Sequence, residues 1–129
     1  MNSDREPSDA EYGQLLVFRT ELRRFLHWSE EQAHAEELTP AKHQLLLAIR
    51  GHASGSPTVG EVAEVLLLRH HSAVGLVDRA VEAGLVERQR SERDHRVVRL
   101  RLTPLGERKL ARLGARHLEE LRRLRRFGF

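Results

Sequence analysis

Residues 84–105 read GLVERQRSERDHRVVRLRLTPL, and the fold turns on this stretch. Before Gly84 the apolar residues recur every three or four positions; after it they alternate. Residues 85–90 therefore read as one strand and residues 97–102 as its partner. Val98, Leu100 and Leu102 face in, and Val97, Arg99 and Arg101 face out. The polar run at 91–95 is the hairpin tip. Thr103-Pro104 starts a helix, with Thr as N-cap and Pro at the first helical position. That helix runs to about Arg126 with Leu105, Leu110, Leu113, Leu118, Leu121 and Leu124 as its apolar positions. Gly84 closes the preceding helix at the C-terminal position where a left-handed residue is favoured.

Working back from Gly84, Ala73, Leu76, Val77, Ala80 and Val81 form the inward face of one helix. A break at residues 68–70 separates it from another that carries Val62, Ala63, Leu66 and Leu67 inward and Glu61 and Glu64 outward. Thr58 or a neighbour caps that helix, and Thr58-Val59 is expected to add a very short strand. Residues 52–57 are loop by composition. Thr39-Pro40 opens a further helix, with Leu45, Leu46, Ala48 and Ile49, which stops near Gly51. Upstream, Leu15, Phe18, Leu22, Phe25 and Leu26 form the apolar stripe of a helix from about 10 to 36, and residues 1–9 are expected to be disordered. The expected fold is mainly α with a small β-hairpin wing: a winged helix-turn-helix over about 39–102, flanked by helices at about 10–36 and 103–127 within a single domain, 10–129.

Composition narrows the function classes. The 129 residues suit one domain, with 40% apolar and 32% charged residues. There is no cysteine, which removes disulfides, thiolate metal sites and thiol redox sensing. No run of about 20 apolar residues could span a membrane, and the acidic start is unlike a signal peptide, so a cytoplasmic protein is expected. The net charge of +3 is unevenly spread: residues 1–38 hold four Arg against nine Asp or Glu, and residues 69–101 hold eight Arg against five. Positive charge gathered in the second half is the footprint of a phosphate-backbone binder.

From about Leu38 to Leu124 the chain resembles the MarR family of bacterial transcriptional regulators. The resemblance is carried by Leu38-Thr39-Pro40, Val59-Gly60-Glu61-Val62-Ala63-Glu64, Leu76-Val77-Asp78-Arg79, Ala83-Gly84-Leu85-Val86, the tip Asp94-His95-Arg96 and Leu102-Thr103-Pro104-Leu105-Gly106, in that order. It implies a homodimer on a palindromic double-stranded DNA operator, with a recognition helix in the major groove and a wing in the minor groove. It also implies a small-molecule effector, bound between the dimerisation helices and the DNA-binding lobe, that releases a repressor. Two departures stand out: Gly75 lies mid-helix, where it costs about 1 kcal/mol against Ala, and Phe129 leaves little room for the further dimerisation helix many members carry.

The candidate DNA contacts are His70, His71 and Ser72 in the first turn of the recognition helix, Gly75 and Arg79 beyond them, and Arg88, Arg90, Arg93, Asp94 and Arg96 in the wing. Arg96 is the minor-groove candidate, with Asp94 orienting it. Arg99 and Arg101 read equally well as solvated outward strand positions, and Lys42 and His43 as helix surface or phosphate contacts. Phe25, His27 and Trp28, with Phe18, are candidates for an effector pocket or for core. His27 and His34, near Glu30 and Glu31, share a helix face, but no metal site or other cofactor is expected. No catalytic constellation stands out, so the chain is not expected to be an enzyme. The alternative is a winged-helix module that docks an acidic protein partner.

Overall fold

The computed structural model describes residues 5–125. Its elements are α1 (Asp9–Ala35), α2 (Pro40–Gly51), α3 (Val59–Leu66), α4 (His70–Glu82), β1 (Val86–Arg90), β2 (Val98–Leu102) and α5 (Pro104–Arg125). The strands pair antiparallel, with Val86 opposite Leu102 and Arg90 opposite Val98. This is the expected mainly helical fold with a hairpin wing.

Local signals set most of the boundaries. Ser8 caps α1 in a reciprocal capping box with Glu11. Of the stretch expected to lack structure, residues 1–4 lie outside the described residues, while Ser8 and Asp9 already belong to this capped helix. Thr39 caps α2 by accepting from the Lys42 N–H at 3.2 Å, with Pro40 following it. Thr58 caps α3 in a second capping box, this one with Glu61. The short strand expected at Thr58-Val59 does not form, because both residues are taken up by the start of α3. Its remnant is one backbone bond, from the Leu100 N–H to the Pro57 carbonyl at 2.8 Å.

The core is built around α2, whose Leu45, Leu46 and Ile49 are fully buried and which touches every other helix and β2. Val62 of α3, Leu76 and Val77 of α4, Val86 and Leu100 of the hairpin, and Leu110 and Leu113 of α5 close over it. Each such buried aliphatic side chain contributes roughly 1.5–3 kcal/mol. α1 takes little part: Ala33, near its end, is its buried residue. Its apolar stripe stays open, with Leu15, Leu16, Phe18, Leu22 and Leu26 between 41 and 65% exposed.

The end of α1 is tied to α5 through Glu36, whose side chain is 11% exposed. Arg112 Nε donates to Glu36 Oε1 at 2.7 Å, Arg116 pairs with the other carboxylate oxygen, and Lys109 donates to the Glu36 carbonyl. The two guanidiniums, Arg112 foremost, hold the Glu36 carboxyl below its ordinary value of 4.5. A carboxylate with a depressed folded pKa contributes stability that is present above the unfolded value and lost as pH falls through the folded one. Glu36→Gln is therefore expected to destabilise at pH 7 and to flatten the acid limb below about 4.5, read as urea midpoints at pH 7, 5, 4 and 3. An acid limb as steep as in the parent would remove Glu36 from acid unfolding.

Candidate nucleic-acid interface

α3, a tight turn and α4 form the helix-turn-helix. The turn closes with the Leu68 N–H on the Ala63 carbonyl at 2.9 Å and the Leu67 N–H on Glu64 at 3.3 Å. Leu67 sits in the left-handed region (φ 56°) and is 92% exposed. A β-carbon there costs roughly 1–2 kcal/mol that glycine avoids. Leu67→Gly is accordingly expected to raise stability by up to about 1 kcal/mol, measured by denaturant midpoint. A loss instead would mean that the Leu67 side chain makes a stabilising contact.

Arg69 precedes α4 without any side-chain cap bond. The N–H groups of the first helical turn, residues 70–72, therefore have neither intrahelical acceptors nor a cap, and they lie at the positive end of the helix dipole. His70, His71 and Ser72 are exposed around them, while Ala73, Leu76 and Val77 are buried on the opposite face. Arg79, two turns on, folds back along the helix. A β-carbon at Gly75 would lie 3.4 Å from its guanidinium, about ordinary contact distance from the end of a flexible side chain.

The wing arginines divide by their partners. At the tip, the Asp94 carboxylate accepts from the Arg96 backbone N–H at 3.0 Å, from Nε at 3.1 Å and from a terminal nitrogen at 3.2 Å. These bonds, the guanidinium first, hold the Asp94 carboxyl below its usual range. The Arg96 side chain nevertheless stays 91% exposed. Arg90 donates to the His95 carbonyl at 2.7 Å and stiffens the tip. Arg93 lines an open cleft with Ser56, Gln89, Arg90, Glu92 and Arg99. Arg88 turns to Asp78 and joins the wing to α4, Arg101 pairs with Glu87 across the hairpin, and Arg99 donates to the Ser56 carbonyl. Of the candidate wing cations, Arg88 and Arg90 are engaged by Asp78 and the His95 carbonyl, while Arg93 is exposed and Arg96 keeps its side chain 91% exposed.

Two candidates are misplaced by the sequence reading. His43 is no helix-surface residue. It is 8% exposed under α5, its ring 5.0 Å from that of His117, and burial followed by the neighbouring imidazole lowers its pKa. It cannot reach a phosphate, whereas Lys42 stays half-buried at the surface. His27 does not join Phe25 and Trp28. It lies on another face of α1, beside Arg23 and Glu30, and approaches Glu31 at 3.4 Å. The aromatic cluster closes instead on His117, which lies 4.9 Å from Trp28 and 6.1 Å from Phe25 between ring centroids. His117 Nδ1–H donates to the Leu113 carbonyl at 2.7 Å, and Nε2 lies 2.7 Å from the Ser29 hydroxyl, within hydrogen-bond reach. Nothing in the basic periodicity of α5 marks His117, and only the packing of α5 across α1 and α2 identifies it. Beside the cluster, Val17, Phe25, Trp28 and Leu124 line a cavity of about 540 Å³ rimmed by the paired Glu21–Arg24 and Glu120–Arg123.

Among the described residues no three His, Asp or Glu side chains gather as a metal site would require. No helix among them is long and apolar enough to cross a membrane.

Comparison with known proteins agrees with this geometry. A model of the MarR family matches residues 37–97. An uncharacterized HTH-type transcriptional regulator of Bacillus subtilis, YsmB, is 37% identical over 68 residues, covering 53% of this chain and 47% of the relative. The match thus spans about half of that protein's length. A MarR family protein from Bacillus stearothermophilus superposes with a TM-score of 0.76 at 26% identity, covering 92% of this chain and 82% of the other. A mutant of MepR from S. aureus, bound to an oligodeoxyribonucleotide, superposes with a TM-score of 0.71 at 16% identity, covering 86% and 80%. The last likeness is one of fold alone.

Proposed function

We propose that the chain, whose residues 37–97 match a model of the MarR family and whose fold is like that of a MarR family protein, is a sequence-specific DNA-binding transcriptional regulator acting as a homodimer. One observation carries the proposal: an uncapped, exposed recognition-helix start (His70, His71, Ser72) and an exposed, carboxylate-held arginine at the wing tip (Arg96) belong to one lobe. The helix start reads base edges and the wing supplies groove electrostatics. The DNA-bound state of one structural relative is consistent with this reading.

The open stripe of α1, together with exposed Leu118 and Leu121 on α5, supports pairing with a second copy. In the dimer the two α4 helices enter major grooves about one turn, roughly 34–36 Å, apart on a palindromic site. The regulator acts as a repressor, and an effector seated against Phe25 and Trp28 releases it by favouring a dimer whose helix spacing no longer fits the operator.

The test is fluorescence anisotropy on the DNA upstream of the chain's own gene against a scrambled duplex, at several salt concentrations, with the mass of the complex measured. Tighter binding to the upstream duplex, a steep salt dependence and two chains per site are expected. No binding to either duplex at low salt would overturn the proposal in favour of a protein-docking module. His71→Ala is expected to lower the preference for the upstream duplex by about tenfold, as loss of one base contact does, while leaving the salt slope intact. Equal losses on both duplexes would remove His71 from base readout.

A further inference from the structure

Arg99 occupies an outward position on β2, where a solvated side chain is the ordinary outcome, yet its guanidinium turns back onto the body of the lobe. It donates to the Ser56 carbonyl at 3.0 Å and lies 3.8 Å from Glu61 Oε1. The next residue, Leu100, donates its backbone N–H to the Pro57 carbonyl at 2.8 Å. Two consecutive residues of the wing thus bond two consecutive carbonyls of the segment that leads into α3. Both ends of this fastening are rigid. Pro57 and Leu100 are fully buried, and Glu61 is held by the Thr58 N–H at 3.1 Å with His52 at 3.8 Å beyond it.

A five-residue, two-stranded hairpin is marginal by itself in water and needs a third partner. Toward the tip, the bonds holding this hairpin are largely its own: Arg90 to the His95 carbonyl, and Asp94 to Arg96. The 56–57 segment supplies an external partner halfway along the wing, where Leu100 stands opposite Arg88, itself drawn to Asp78 of α4. We propose that Arg99 is a positioning residue for DNA binding: it sets the angle of the wing against the helix-turn-helix so that Arg96 meets the groove, and it does not itself touch DNA. This rests on the DNA-binding reading above. The competing role is a direct phosphate contact, since Arg99 shares its cleft with Arg90 and Arg93.

A double-mutant cycle separates the two roles. Wild type, Arg99→Ala, Arg96→Ala and the double variant are titrated with the upstream duplex over a range of salt, each first shown to be folded by circular dichroism. Amide hydrogen exchange is followed by NMR in the free proteins. Arg99→Ala is expected to weaken binding by about three- to tenfold, to add no further loss in the Arg96→Ala background, and to speed exchange at Leu100 and along the hairpin by about tenfold. A loss that persists in the Arg96→Ala background, with the salt slope falling by about another unit per wing, would make Arg99 a phosphate contact and overturn the proposal. Unchanged protection at Leu100 would overturn it as well. If the wild type bound no DNA, the functional reading would fall while the exchange still decided whether Arg99 anchors the wing.

Discussion

Gly106→Ala is expected to cost about 3 kcal/mol or more, the upper range for forcing a methyl into filled space. The first turn of α5 is pressed against the turn that leaves α4. A β-carbon at 106 would stand 2.2 Å from the Leu85 carbonyl oxygen and 3.2 Å from its carbon. Those are backbone atoms and cannot rotate aside. The Leu85 N–H is committed to the Ala80 carbonyl at 3.0 Å, and the Leu85 carbonyl accepts from the Thr103 N–H at 3.0 Å. The Thr103 hydroxyl donates to the Gly84 carbonyl at 2.6 Å and accepts from the Gly106 N–H at 3.1 Å. To admit the methyl, α5 must lift off the hairpin base and break this set. Urea midpoints at one fixed protomer concentration read the effect, with Gly114→Ala as the control. Position 114 lies in the same helix with nothing within 4 Å of its would-be β-carbon, and alanine there should gain up to about 1 kcal/mol. A Gly106→Ala midpoint within about 0.5 kcal/mol of the parent would mean that α5 does not approach so closely.

Arg96→Ala is expected to produce the largest loss of DNA affinity among single wing substitutions. Each cation engaged on duplex DNA contributes about 0.9 to the slope of log K against log salt. At 0.1 M salt one such contact is therefore worth about eightfold, and two wings in a dimer about sixtyfold. The loss should fall on upstream and scrambled duplexes alike, because a minor-groove or phosphate arginine carries little base information. The slope should become shallower by about one unit for each wing engaged. Asp94 does not oppose this role: by holding Nε and one terminal nitrogen it orders a long side chain before binding, at the cost of part of its charge. An unchanged salt slope would show that Arg96 makes no electrostatic contact with DNA.

Much of this arrangement is legible in the sequence, and for identifiable reasons. Thr39, Thr58 and Thr103 mark helix starts because a cap acts within three residues of itself. Val98, Leu100 and Leu102 mark a half-buried strand because alternation is a local property. Asp94 and Arg96 are two residues apart, so their pairing follows from a tight tip. The aromatic cluster was legible only in part, because Phe25 and Trp28 share a helix face but the third member, His117, comes from α5. His43 read as surface because α2 has partners on more sides than one apolar stripe indicates.

The order of the helices and of the hairpin, the threonine caps, the helix-turn-helix and the basic wing were determined by the sequence alone, since each depends on spacings of two to four residues. Tertiary structure decided which arginines remain available: Arg88 is drawn to Asp78, Arg99 to Ser56 and Arg101 to Glu87, while Arg96 stays open. It also decided that His43 is buried beside His117, that Glu36 joins two helices, and that the α1 stripe is left uncovered. The reason is one of range: Arg99 and Ser56 are 43 residues apart in the chain, and His117 and Ser29 are 88 apart. No local period or cap encodes such pairs; they meet only when the helices close over a shared core.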